Sequence, residues 1–178
     1  MAGNTLIAHG QAVAVATSPM TVTPDRAWSR MGARPGRNSE TWTPDGDRLN
    51  DLTFYGGIED GRPLFREAWH RHEPLPHFAA TMLLTDIPAL VEASYRIALD
   101  TPVMTITSIE PATPSGNVAV RFRYEFTRFD DEVARRGEAV AAIVGGKLYM
   151  ISFEAPAIWS FDRDLPGARA IMAAARIG

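Results

Sequence analysis

Between residues 118 and 156 apolar and polar side chains trade places in three successive runs. Val118, Val120, Phe122, Tyr124 and Phe126 alternate with Ala119, Arg121, Arg123 and Glu125, the period-two pattern of a strand with a buried face. Residues 135–144 and 147–153 follow, separated by Gly145-Gly146. A Gly-Gly pair between apolar runs marks a two-residue hairpin, because primed turns need positive φ. That turn predicts a register with Val144 opposite Lys147, Val140 opposite Ile151 and Glu138 opposite Phe153. A tight turn at Asp130-Asp131 would set Arg123 opposite Glu138 and Glu125 opposite Arg136, two pairs of opposite charge. Both faces of these strands are mostly apolar, so both should be covered, unlike an antiparallel sheet with one wet face.

The remaining segments give shorter signals. Residues 6–23 read as one or two short strands, and Thr23-Pro24-Asp25 predicts a helix start over 26–31. Residues 40–42 and 49–55 flank Pro44-Asp45-Gly46, whose turn chemistry predicts a second hairpin. Residues 81–100 carry the best helical pattern. Thr85 or Asp86 can cap it, Pro88 falls in the first turn, and Ile87, Leu90, Val91, Ser94 and Ala98 line one stripe. Residues 103–109 predict a strand. A closing helix follows with Asp164 as cap and Leu165, Ala168, Met172 and Ala175 as its buried side. The sum is a single α+β domain over 1–178, with residues 1–12 as a flexible N-terminal extension. Its expected core is one antiparallel sheet of about five to seven strands flanked by helices on both faces, an α/β/α sandwich.

Composition narrows the function classes. A net charge of -3 excludes a general nucleic-acid binder, which would carry a basic excess. The absence of cysteine excludes disulfides, thiol nucleophiles and thiolate metal sites. No run of about 18 apolar residues is present, and the N-terminus lacks the basic and apolar regions of a signal peptide.

The element order, with Trp28 after Pro24, the turn and strand of 45–55, and 145–156 running into a last helix, resembles the PsbP/Mog1-like fold. A further resemblance is to a group of bacterial envelope proteins, many of them predicted lipoproteins. It rests on the string from Leu49 to Ile58 (LNDLTFYGGI), on Phe153-Glu154-Ala155-Pro156-Ala157, and on Phe161-Asp162-Arg163-Asp164-Leu165-Pro166. This resemblance implies a periplasmic or envelope-associated protein, with peripheral membrane association through an N-terminal anchor that has been removed. It also implies a binding or assembly module more than an enzyme, with a protein or a small molecule as partner. Fold analogy by itself does not assign function.

Residues 58–78 form a long irregular segment, which in a compact domain is commonly functional or mobile. It holds Trp69, His70, His72 and His77 beside Glu67 and Glu73. Neutral imidazoles suit zinc or copper, yet the spacing matches no established motif such as HExxH, and an ordinary polar surface loop is the preferred account. Arg26 and Arg30 belong to a basic run beside Trp28 that would suit lipid headgroups, an acidic partner or nucleic acid, although the wet face of a short helix is the preferred account. No GxSxG elbow, GK[ST] loop or calcium-loop spacing occurs, so no catalytic residue and no cofactor is expected. Three functional readings result: a non-enzymatic binding or assembly module of the envelope, a metal-binding protein using His70, His72 and His77, or a small-ligand binder with its pocket between 58–78 and the sheet.

Overall fold

A computed structural model describes residues 3–44, 49–68, 73–101, 103–128 and 131–178. Its centre is the three-strand unit read from the alternation: β8 (Ala119–Arg128), β9 (Asp131–Val144) and β10 (Lys147–Pro156). The register is the predicted one, with Val144 opposite Lys147 and Glu138 opposite both Phe153 and Arg123. Gly145 and Gly146 have φ of 60° and 75°, the left-handed conformation that the two-residue turn demands.

Seven more strands precede this unit: β1 (Thr5–Ile7), β2 (Val13–Ala14), β3 (Met20–Val22), β4 (Trp28–Arg30), β5 (Ser39–Thr43), β6 (Asp51–Ile58) and β7 (Met104–Ala112). An eight-stranded sheet runs β1-β4-β5-β6-β10-β9-β8-β7, and all its pairings are antiparallel. A second sheet joins β2 and β3 to β11 (Arg176–Ile177). Among the described residues the α-helices are α1 (Ile87–Ala98), of 12 residues, and α2 (Ser160–Ala174), of 15.

This corrects the expected α/β/α sandwich. The main sheet has eight strands instead of five to seven, a second sheet of three is added, and two short helices do not make layers over its faces. On one face α2 shares the cover with the small sheet, since Val15, Met20 and Val22 join Phe161, Leu165 and Met172 in one core. On the other face α1 shares it with Leu64, Phe65, Leu75 and Phe78 from the irregular segment. The physical reason is length. A strand of two or three residues has no period to read, and its hydrogen bonds come from partners far away in sequence, as where Arg176 meets Thr21.

Two local expectations are corrected in the same way. The helix start over 26–31 is instead β4, which pairs with β1 and β5 and buries Trp28. Asp164 does not cap the closing helix but lies inside it, because α2 begins at Ser160. It accepts a hydrogen bond from Asn50 Nδ2 (2.6 Å) and pairs with Arg163 (2.7 Å), tying α2 to the start of β6. The helix over 81–100 is present as α1, with Asp86 in the cap position and Ile87, Leu90, Val91 and Ser94 buried. The second hairpin is also present, with Ser39 opposite Tyr55 and Trp42 opposite Leu52. Its proposed turn at Asp45-Gly46 lies outside the described residues, as does Asp130.

Candidate functional site

On the α1 side of the main sheet a polar row crosses four strands. Tyr124 of β8 is opposite Gly137 of β9, Gly137 is opposite Glu154 of β10, and Glu154 is opposite Asp51 of β6. Directly opposed residues share a face, so these side chains gather on one surface. α1 adds Tyr95 from above. The Tyr124 hydroxyl donates to Glu154 Oε2 at 2.5 Å, and the Tyr95 hydroxyl donates to the same oxygen. Tyr55, two residues along β6 from Thr53, completes the group, with its hydroxyl near those of Tyr95 and Ser152.

Gly137 makes the arrangement possible. A Cβ there would lie 2.2 to 2.6 Å from atoms of the Tyr124 ring, distances no side chain tolerates. The bare backbone lets the Tyr124 ring lie across β9 and reach Glu154 on the next strand. Glycine inside a strand often marks such a close approach.

Burial governs the charge state of this cluster. Glu154 is 7% exposed, and its pKa is raised, first by loss of hydration and then by the nearby Asp51 charge. The two phenol hydrogen bonds and Arg128 oppose the rise without reversing it. Tyr55, Tyr95 and Tyr124 are all pushed up, again chiefly by burial and then by Glu154. With Oε2 accepting both phenolic protons, a neutral Glu154 carries its own proton on Oε1.

Asp51, Tyr55, Tyr95 and Glu154 of this cluster line a cavity of about 390 Å³. Thr41, Thr53, Tyr55 and Glu154 belong to its sheet side, and Thr41 and Thr53 share a 3.0 Å hydrogen bond between hydroxyls. Arg34, Arg66 and Arg128 line the outer part, together with Ala33 and Phe65. The rim is built by two loops pressed together. Arg66 N–H donates to the Pro35 carbonyl (3.1 Å), and a Cβ at Gly36 would stand 2.4 Å from the Leu64 carbonyl oxygen. Phe65 is thereby set against Tyr95, with ring centroids 5.6 Å apart. Arg128 lies 3.5 Å from Asp51, and Arg34 Nη1 donates to Thr17 Oγ1 at 2.7 Å. The outcome is a pocket with hydroxyls and a carboxyl on its floor and guanidinium groups around its mouth. Its volume falls in the range of small-ligand sites, roughly 300–1,000 Å³.

A second buried carboxylate has a different environment. Glu138, on the α2 face, accepts hydrogen bonds from Arg123 (2.8 Å) and Arg169 (2.7 and 2.8 Å). Burial acts to raise its pKa, but the two guanidinium groups outweigh this and hold it below the ordinary value. It is a charged clasp between α2 and the sheet.

Of the residues singled out from sequence, His77, Arg26 and Arg30 fall among the described residues. Trp69, His70 and His72 lie outside the described residues. His77 forms an antiparallel bridge with Pro63, and its Nε2 lies 3.3 Å from Glu67 Oε1. Among the described residues no group of three or more histidine or acidic side chains is placed to hold a metal ion. Arg26 stacks over Trp28 (5.1 Å) and lies 3.7 Å from Asp164. Arg30 pairs with the buried Glu40 at 2.6 Å, and Glu40 also accepts from Trp42 Nε1. The sequence reading missed Glu154, the three tyrosines and Asp51. The available signals were a carboxyl within an apolar strand, Phe153-Glu154-Ala155, and a glycine in the middle of β9.

Among the described residues no helix is long and apolar enough to cross a membrane. No family model and no characterised protein matches the chain by sequence. Solved structures do. Cyanobacterial PsbP (CyanoP) from Synechocystis sp. superposes with a TM-score of 0.62 at 12% identity, over 100% of this chain and 94% of that one. LpqN, involved in cell envelope biogenesis of Mycobacterium tuberculosis, gives a TM-score of 0.39 at 9% identity, over 96% of this chain and 87% of that one. The first likeness, covering the whole chain, establishes that the fold is PsbP-like.

Proposed function

We propose that the protein is a non-enzymatic binding module of the bacterial cell envelope that holds a small ligand in the cavity between its 62–67 segment and β6. One observation carries this reading: a cavity of about 390 Å³ whose floor holds a buried carboxyl and a pair of buried hydroxyls. Glu154 accepts from two phenols and the threonines bond to each other, so the groups are held in place, and they sit beside open space where a ligand can use their remaining hydrogen-bonding capacity. The envelope location rests on the resemblance of its sequence strings to those of bacterial envelope proteins.

A thermal-shift screen with a panel of small metabolites, run on the wild type and on Ala33→Trp, tests the cavity. Ala33 is an exposed rim position, so a large side chain there blocks the mouth without disturbing the core. A ligand at about 100 times its dissociation constant stabilises the fold by roughly 2.7 kcal/mol. At least one ligand should raise the melting temperature of the wild type and leave Ala33→Trp unmoved. An equal response in both proteins, or no response to any compound, would overturn the reading.

A further inference from the structure

The cavity's chemistry specifies its ligand further, an inference that rests on the binding reading above. We infer that the site takes a small hydroxylated oxyanion: a polyol or sugar-sized body carrying a phosphate or carboxylate. The hydroxylated body would lie on the floor, where Thr41, Thr53 and Tyr55 present hydroxyls beside Glu154. These groups donate and accept at short range, as alcohols require. The anionic group would face the mouth, where Arg34, Arg66 and Arg128 converge on the same cavity. A guanidinium presents several N–H donors in a planar fork that fits carboxylate and phosphate.

The charge balance at the cavity favours an anion. The groups facing it are Asp51 from β6, Glu154 from β10, Tyr95 from α1, Arg128 from β8, and Arg34 and Arg66 from the two rim loops. Three cations thus face two carboxyls, and one of those carboxyls is held towards its neutral form by burial. Asp51 already has Arg128 at 3.5 Å, whereas Arg34 bonds to a threonine hydroxyl and has no carboxylate partner among the described residues. Arg34 is exposed and bonded to a neutral group, so its guanidinium is free to turn towards an anionic group at the mouth. The aromatic wall of Phe65 and Tyr95 would cover the carbon face of that body.

Isothermal titration with glucose 6-phosphate, gluconate, glucose and inorganic phosphate tests the assignment. Glucose 6-phosphate or gluconate should bind at least about tenfold more tightly than glucose, and more tightly than inorganic phosphate alone, a gap of about 1.4 kcal/mol or more. Arg34→Ala should remove most of the advantage of the anion and leave glucose affinity unchanged. The double variant Thr41→Val with Thr53→Val removes both hydroxyls of one hydrogen-bonded pair, a change that leaves stability nearly intact. It should weaken the sugar-bearing probes and not inorganic phosphate. Equal affinities for glucose and its phosphate, or indifference to both variants, would overturn the assignment. Binding of a neutral compound that Ala33→Trp abolishes, with no gain from an anionic group, would sink this inference alone and leave the cavity reading standing. Binding untouched by Ala33→Trp would remove both.

Discussion

Glu154 is the residue whose chemistry depends most on its surroundings. Its folded-state pKa lies above the ordinary carboxyl value of 4.5, so the folded protein keeps a proton that the unfolded chain releases. Stability therefore falls as pH rises from the ordinary value towards the folded one. Both tyrosine hydroxyls converge on one oxygen, so an amide that keeps an oxygen in that place can accept both bonds. Glu154→Gln should then be the more resistant protein at higher pH, losing less melting temperature than the wild type between about pH 5 and pH 8. Roughly 4 °C of difference would correspond to about 1 kcal/mol in a domain of this size. Parallel melting curves for the two proteins across that interval would mean that Glu154 is ionised in the fold. Glu138 works in the opposite sense, because its lowered pKa gives stability that is present above the ordinary value and lost on acidification. Comparing the wild type with the single variant separates the two contributions.

At the level of elements, the same physics decides what the sequence discloses. The Gly145-Gly146 turn alone sets Glu154 opposite Gly137, and the charge pairs of β8 and β9 set Tyr124 opposite the same glycine. Three members of the polar row were thus implied by two hairpins. The fourth was not, because Asp51 joins through the pairing of β6 with β10, which nearly a hundred residues of chain separate. Tyr95 was hidden for another reason: on a helix it reads as one more apolar position of the buried stripe. The short strands β1 to β4 and β11 left no period at all, and β4 carried a proline and an acid ahead of it that imitate a helix start. Strand β9 offers the direct test of the row. Gly137→Ala must either displace the Tyr124 ring from Glu154 or bend the central strand, and overpacking of this kind costs about 1–3 kcal/mol. Chemical denaturation should show that loss, and the double variant Gly137→Ala with Tyr124→Leu should recover part of it. No loss in the single variant would mean that the ring and the strand are not in contact.

Across the whole molecule, one sheet serves two cores. Along β9, Val140 and Ala142 face the α2 side, and Ala139 and Ala141 face the α1 side; along β10, Ile151 and Phe153 oppose Leu148 and Met150 in the same way. Neither core can lose its packing without exposing the back of strands that the other core needs, so the PsbP-like fold should open as one unit despite its two layers of cover. Phe161 on α2 and Phe122 on β8 are both buried, on opposite faces, and each truncation to alanine should cost about 3–5 kcal/mol. Two spectroscopic handles separate the faces. Trp28 and Trp42 lie in the α2-side core, so with Trp69 and Trp159 replaced by Phe throughout, tryptophan fluorescence reports that side, while circular dichroism of the backbone reports the shared sheet. Both signals should move together in the wild type, in Phe161→Ala and in Phe122→Ala, with only the midpoint shifted. A fluorescence transition that precedes the loss of sheet in Phe161→Ala, and not in Phe122→Ala, would show that the α2 side can detach on its own. The cavity would then survive in a partly opened molecule, because every residue of its floor belongs to β5, β6, β10 and α1.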